Sequence, residues 1–290
     1  MPAQPELTIM AVHAHPDDEA SGTGGTLARY SAEGVRTVLV TCTDGSCGDG
    51  PGGVKPGEPG HDREEVAALR QKELERSCEL LGIRDLELLG YRDSGMMGWD
   101  TNHEPGAFWN MDVAVAARPL IDLMERYRPD VVITYDANGF YGHPDHIMAH
   151  RITMEAVTAT DLPAKVYHTA VPRSGLGEFA QALRAAGIDP PMASDTEEGQ
   201  FAGGEGPEEG PPFGTPDAEV TTYVDVHGYT EAKRASLAAH GSQADNIFFL
   251  RLSPELFDRF FGVETFVRVA DRTGAPVPEG DLLAGLRAEP

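Results

Sequence analysis

The sequence predicts an α/β fold around a mostly parallel sheet flanked by helices. Short β-branched, apolar runs alternate along the chain with stretches of helical periodicity, the pattern of βαβ units with right-handed crossovers. Glycine and proline punctuate the boundaries between them. The two His/Asp-rich strings of the chain each follow an apolar run, where open sheets of this kind bind ligands.

Leu7 to Val12 reads as a buried strand, and Thr23 to Glu33 as a helix closed by Gly34. Val35 to Cys42 is the second strand. A Gly/Pro loop from Asp44 to Gly60 follows, long enough to suggest function. The next helix runs from about Asp62 to Leu81, placing Val66, Leu69, Leu74 and Leu81 among charges, with Gly82 as its stop. Leu86 to Leu89 is a short strand, and Tyr91-Arg92-Asp93-Ser94-Gly95 a loop. Met111 to Tyr127 reads as a helix, Val131 to Tyr135 as a strand, and Asp145 to Thr160 as a helix with Pro144 in its first turn. Val166 to Thr169 is a strand and Leu176 to Ala186 a helix. Met192 to Ala218, rich in Gly, Pro and Glu, reads as a surface loop. Val220 to Val226 and Glu264 to Val269 return to strand, with helices at Thr230 to His240 and Pro254 to Phe261 between them. The expected division is a core over 1–170 and a C-terminal portion over 171–290, the latter holding the acidic loop at 192–218.

The chain has 290 residues, with 23 Lys plus Arg against 47 Asp plus Glu, a net charge of -24 that argues against nucleic-acid and anionic-membrane partners. Its three cysteines, Cys42, Cys47 and Cys78, are odd in number and lack metal-type spacing, so a disulfide scaffold is not expected. The N-terminus has no basic region, and its apolar run is too short for a signal segment. No run approaches the about 20 apolar residues of a membrane helix. A cytoplasmic protein is expected, and a homo-oligomer is compatible with the sequence.

Chemistry concentrates in His15-Pro16-Asp17-Asp18-Glu19 and Tyr141-Gly142-His143-Pro144-Asp145-His146. A three-residue offset in a first helical turn puts His15 and Asp18 on one face, while Asp17 points about 100° away. His15, Asp18 and His146 form a two-His, one-carboxylate set, and three protein ligands plus water is the catalytic pattern for zinc. Asp17 is then the base for the bound water. Asp145 can fix the tautomer of either neighbouring imidazole. His143 can stabilise developing negative charge or protonate a leaving amine, and Tyr141 can donate to the same oxyanion. A single His-Pro-Asp-Asp string would read as an ordinary strand-to-helix turn. Two such clusters after separate strands favour a shared site. His13 reads as a packed neighbour, and His150, four residues after His146, as helix-face decoration.

The pairing of Ala14-His15-Pro16-Asp17-Asp18-Glu19 with Gly142-His143-Pro144-Asp145-His146 resembles the LmbE-like (PIG-L) family of metal-dependent N-deacetylases. That family includes the mycothiol-pathway deacetylase of an N-acetylglucosaminyl-inositol and the mycothiol S-conjugate amidase. The likeness extends through Val40-Thr41-Cys42-Thr43, Arg92-Asp93-Ser94-Gly95-Met96 and Tyr135-Asp136-Ala137-Asn138-Gly139-Phe140-Tyr141, and more weakly to Ala238-Ala239-His240 and Asp281 to Leu286. It implies a Rossmann-like sheet with a smaller C-terminal α/β portion covering the site. It also implies zinc on His15, Asp18 and His146, and Asp17 as general base. In the same reading His143 stabilises the transition state, Asp145 orients it, and Tyr141 is a mobile oxyanion donor. Arg70 and Asp93 match sugar-holding positions; by themselves they read as a solvated helix cation and a turn residue.

The loops depart from the mycothiol enzymes at Asp44-Gly45-Ser46-Cys47-Gly48-Asp49 and beyond, and new loops on one catalytic floor imply a different substrate. The expectation is a zinc-dependent hydrolase removing an acetyl or other acyl group from the amine of a glucosamine-type sugar conjugate. Iron(II) is an alternative metal. Rival readings are an amidase for a larger thiol-conjugate amide, a non-haem Fe(II) oxygenase built on the same donor set, and a non-catalytic sugar-binding protein.

Overall fold

The computed structural model describes residues 6–188, 213–243 and 248–287; the expected loop at 192–218 lies outside them except for its last six positions. Among the described residues the strands form one seven-stranded sheet, in the order β3-β2-β1-β4-β5-β7-β6. The strands are β1 (Thr8–His13), β2 (Arg36–Thr43), β3 (Asp85–Tyr91), β4 (Val131–Thr134), β5 (Lys165–Ala170), β6 (Thr222–Asp225) and β7 (Val263–Asp271). The first five run parallel, and β7 joins β5, and β6 joins β7, antiparallel. The C-terminal portion therefore extends the same sheet across the expected division at residue 170.

The sheet is covered on both faces. Met10 and Val12 of β1 point into a core with Val38, Val40, Phe108, Leu120, Met124, Met148 and Ile152. Their neighbours Ile9 and Ala11 face the opposite core of Leu27, Tyr30, Leu39, Leu74, Leu282 and Leu283. Alternation along a fully buried strand feeds two helical layers, as expected of a parallel sheet.

The helices are α1 (Asp18–Gly22), α2 (Gly24–Ala32), α3 (Arg63–Leu81), α4 (Val113–Ala116), α5 (Arg118–Tyr127), the one-turn α6 (Gly139–Gly142), α7 (Pro144–Thr160), α8 (Arg173–Ala185), α9 (Thr230–Ala239) and α10 (Pro254–Phe261). The Asp62 carboxylate caps α3 by accepting from the Glu64 and Glu65 amides, and Gly82 ends it at φ +69°. Two sequence expectations change. The single helix over 111–127 is broken into α4 and α5, because Pro119 occupies the first turn of a new helix. A short α1 also precedes the helix expected from Thr23, so Asp18 is its first residue.

Strand order reverses between β1 and β4. The crevice beyond their carboxyl ends is the topological switch point of the sheet. His15 follows β1 by two residues, and the segment leading to His146 follows β4.

Candidate metal and catalytic centre

The first string turns directly from β1 into α1. The Asp18 Oδ2 accepts from the His15 amide at 2.8 Å and from the Tyr135 hydroxyl at 2.7 Å, and it lies 3.2 Å from His15 Nδ1. Its Oδ1 lies 3.5 Å from His146 Nε2. Asp18 thus bridges imidazoles from the two strings. Burial opposes the charge on Asp18, but His146 and His15 outweigh it and hold the carboxyl well below its usual range.

Asp17 sits at φ +119°, a region L residues rarely adopt, and its side chain is turned away from that of Asp18 toward Arg70. The Arg70 guanidinium lies 3.0 Å from Asp17 Oδ2 and donates to the carbonyls of Pro16 and Gly45. Gly45 and Gly48 leave it room, since a Cβ at either would come within 2.6 Å of Nη1. Arg70 is therefore a buried clamp on Asp17, its contacts divided between the first string and the Gly45 carbonyl. The Asp17 carboxyl is shifted upward, chiefly by burial, with Arg70 opposing.

The second string is positioned by a helix start. The His143 side chain caps α7, its Nδ1 accepting from the Asp145 amide at 3.2 Å. A ring that accepts at Nδ1 carries its proton on Nε2 when neutral. Burial and the neighbouring His15 and His146 keep His143 neutral, its pKa well below the usual value. His146 is turned the other way: Nδ1 donates to the Gly139 carbonyl at 3.2 Å, and Nε2 faces Asp18. Gly139 permits this approach, because at φ +64° a Cβ would lie 2.7 Å from the Ile147 amide nitrogen.

Asp145 departs from its expected partner. Its carboxylate reaches His15 Nε2 at 3.3 Å and accepts from the Ser94 amide at 2.8 Å, whereas only its backbone meets His143. A histidine bound to metal through one nitrogen commonly donates from the other to such a carboxylate. Asp93 accepts from the amides of Cys47 at 3.0 Å and Gly95 at 2.8 Å, and its Oδ1 lies 3.8 Å from His15 Nε2. Together the surrounding carboxylates, Asp93 foremost, overcome burial and raise the His15 pKa well above its ordinary value. Tyr141 is 37 % exposed, its ring 5.2 Å from that of His146 and 5.9 Å from that of His143.

Sequence reasoning missed the support behind Asp17. Its amide donates to Glu19 Oε2 at 3.0 Å, and Glu19 Oε1 meets His240 Nε2 at 2.7 Å and the Ser77 hydroxyl. The string itself gave one available signal, the Glu that ends it. It also missed Tyr135, which ties Asp18 to the Ala14 amide.

The donors suit a divalent cation. His146 Nε2 is buried and has no hydrogen-bond partner although it lies 3.5 Å from Asp18 Oδ1, and Asp145 Oδ1 is likewise unpaired. Two imidazoles with carboxylate match the nitrogen and oxygen ligands of zinc or iron(II). Among the described residues, donor atoms of His15, His143 and His146, and of His15, Asp93 and Asp145, lie within 4.8 Å of one another. Asp18 is in neither group, but its carboxylate lies 3.2 Å from His15 Nδ1 and 3.5 Å from His146 Nε2.

The chain is similar to known proteins. A family model described as PIG-L, GlcNAc-PI de-N-acetylase, matches residues 10–157. A 1D-myo-inositol 2-acetamido-2-deoxy-alpha-D-glucopyranoside deacetylase of Acidothermus cellulolyticus is 44% identical over 289 residues, covering 96% of this chain and 95% of its own length. One of the same description from Salinispora arenicola is 40% identical over 297 residues, covering 97% and 92%. The fold is similar to that of N,N'-diacetylchitobiose deacetylase from Pyrococcus horikoshii, with a TM-score of 0.56, 23% identity and coverage of 91% of this chain and 84% of that one.

Proposed function

The chain belongs to the PIG-L family of GlcNAc-PI de-N-acetylases, and we propose that it hydrolyses the N-acetyl group of a glucosamine–inositol conjugate or a closely similar amino-sugar conjugate. The observation that carries this reading is the buried, unpartnered Nε2 of His146 beside Asp18, with Asp17 held by Arg70. His15, Asp18 and His146 would hold the metal, zinc or iron(II), both of which accept imidazole and carboxylate ligands. When bound it supplies Lewis acidity toward the amide carbonyl and toward an attacking water.

The protein's own residues handle the protons. Asp17 takes the proton of the water, and burial that raises its pKa makes it the better base. His143 cannot serve as the acid while neutral, so its Nε2–H donates to the developing oxyanion. Tyr141 donates to the same oxygen. The proton on Asp17 then passes to the amine nitrogen as the C–N bond breaks, and acetate and the free amine leave. Arg70 keeps Asp17 aligned throughout, and Asp145 fixes the His15 ring. Asp93, a sugar-holding position by the resemblance, is buried and holds the Cys47 and Gly95 amides, so it would act on the sugar only through that loop.

No helix of the described residues is long and apolar enough to cross a membrane. The test is a panel of N-acetylglucosaminyl-inositol, free N-acetylglucosamine and larger thiol-conjugate amides, assayed for freed primary amine and for the released acid. Acetate in equal amount to amine supports the proposal. Release of a larger acid alone would favour the amidase reading, and binding without turnover by metal-loaded protein would favour a sugar-binding role.

A further inference from the structure

Tyr141 stands on a strained turn. Phe140, the residue before it, has φ +68° and ψ -61°, a conformation costly for a side chain that carries a Cβ. The Asp136 carboxylate holds this turn from below, accepting from the amides of Asn138 at 2.9 Å and Phe140 at 3.0 Å. From the other side the Phe140 ring meets two rings: that of Tyr141 at 5.9 Å and that of Phe213 at 4.9 Å, both edge to face.

Phe213 is itself firmly placed. The Thr215 amide donates to the Val171 carbonyl at 2.7 Å, and the Arg173 amide donates to the Thr215 carbonyl at 3.0 Å. The Arg173 Nε donates to the Gly214 carbonyl at 3.1 Å, and the Ser174 hydroxyl to Asp217 at 2.6 Å. These bonds fasten the strip 213–217 to the chain just after β5, next to β4 in the sheet.

We propose that Phe213 is a positioning residue for Tyr141: its ring, seated on Phe140, holds the positive-φ turn that aims Tyr141 at His143 and His146. The inference rests on the reading that Tyr141 serves amide hydrolysis. It makes the strip after β5 a determinant of turnover, although it contributes no group to the metal or to the acyl carbon. Since an aromatic pair of this geometry adds a modest, directional attraction, its loss loosens the turn without unfolding the sheet.

The test combines Phe213→Ala, Phe213→Tyr, Tyr141→Phe and the double variant Phe213→Ala with Tyr141→Phe, each assayed for amine release and thermal midpoint. Phe213→Ala lowers kcat about five- to tenfold with KM nearly unchanged, and Phe213→Tyr restores most of it. In the Tyr141→Phe background the Phe213→Ala change costs nothing further, since its effect runs through the tyrosine. Equal losses in both backgrounds, or no loss in either, would overturn the proposal. Crystal structures of the wild type and Phe213→Ala give a readout apart from turnover: the Tyr141 ring must move away from His146, and an unmoved ring refutes the claim. A wild type that releases no amine would refute the deacetylase reading, and the crystal comparison would still decide the role of Phe213.

Discussion

Two clusters of buried charge in this fold are built in opposite ways. In the cluster bridging β5, β7 and the C-terminal stretch, the Lys165 ammonium meets Glu279 Oε2 at 2.7 Å and the Ala284 carbonyl at 3.0 Å. Glu279 also accepts from Tyr167, Thr222 and Arg268. Close by in the sheet, Glu264 binds Lys233 at 2.6 Å and accepts from the Gly25 and Thr26 amides. Every charge there has its partners. At the carboxyl ends of β1 and β4 the pattern reverses. His146 Nε2, Asp145 Oδ1 and Arg70 Nε are buried without partners, and Asp17 and Phe140 hold positive φ. Satisfied charge marks a support; unsatisfied charge on strained backbone marks a place where a ligand completes the set.

The contrast predicts that substitutions in the two clusters fail differently. Asp17→Asn keeps the shape of the carboxyl but removes the base. It lowers kcat about 10³–10⁴-fold, about 4–5 kcal/mol of barrier, with a urea midpoint near that of the wild type. A parallel collapse of stability would erase the distinction. In the satisfied cluster Glu279→Gln leaves the Lys165 ammonium buried against a neutral partner, and costs about 3 kcal/mol of stability. Turnover per folded molecule stays at the wild-type level; urea titration with active-site-normalised kinetics reads both quantities.

Smaller effects sharpen the comparison. Tyr141→Phe removes one donor to the oxyanion and lowers kcat about ten- to a hundredfold, leaving metal content unchanged. The smallest effect concerns His168 on β5, whose Nε2 is also unpaired but has no carboxylate of the metal cluster beside it. Burial, and then the neighbouring His150, lower its pKa to about 4. The unfolded imidazole titrates near its ordinary ~6.5, so protons bind the unfolded chain more tightly. Stability contributed by neutral His168 is therefore present above that value and declines as pH falls from 6.5 toward 4. His168→Asn flattens the decline in urea midpoint over this window, and an unchanged slope would show that His168 does not drive it.

Much of the centre was legible because it is local in sequence. His15 and Asp18 lie three residues apart across the turn from β1 into α1; they meet there although Asp17 at φ +119° breaks the helical turn the spacing predicts, and Pro144 starts the helix that bears His146. The sheet was legible for the same reason, as buried strands announce themselves by composition. What escaped lies in contacts across the chain. Asp145 was expected to orient His143, but its carboxylate crosses to His15, 130 residues away. Arg70 looked like a sugar contact, and only packing against Gly45 and Gly48 makes it the clamp on Asp17. The His240 imidazole meets Glu19 over 221 residues. No periodicity reports such pairs. The positive φ at Phe140 is set by Asp136 and by rings on either side, and a short string of residues does not reveal it.

The central claim is that His15, Asp18 and His146 hold one divalent ion needed for amide cleavage. Its most direct test is a zinc titration of chelator-stripped protein, following bound metal and amine release together. The account predicts that both rise to a plateau at one ion per chain, and that His146→Ala shows neither rise. Full amine release by the stripped protein, or by His146→Ala without bound metal, would contradict it.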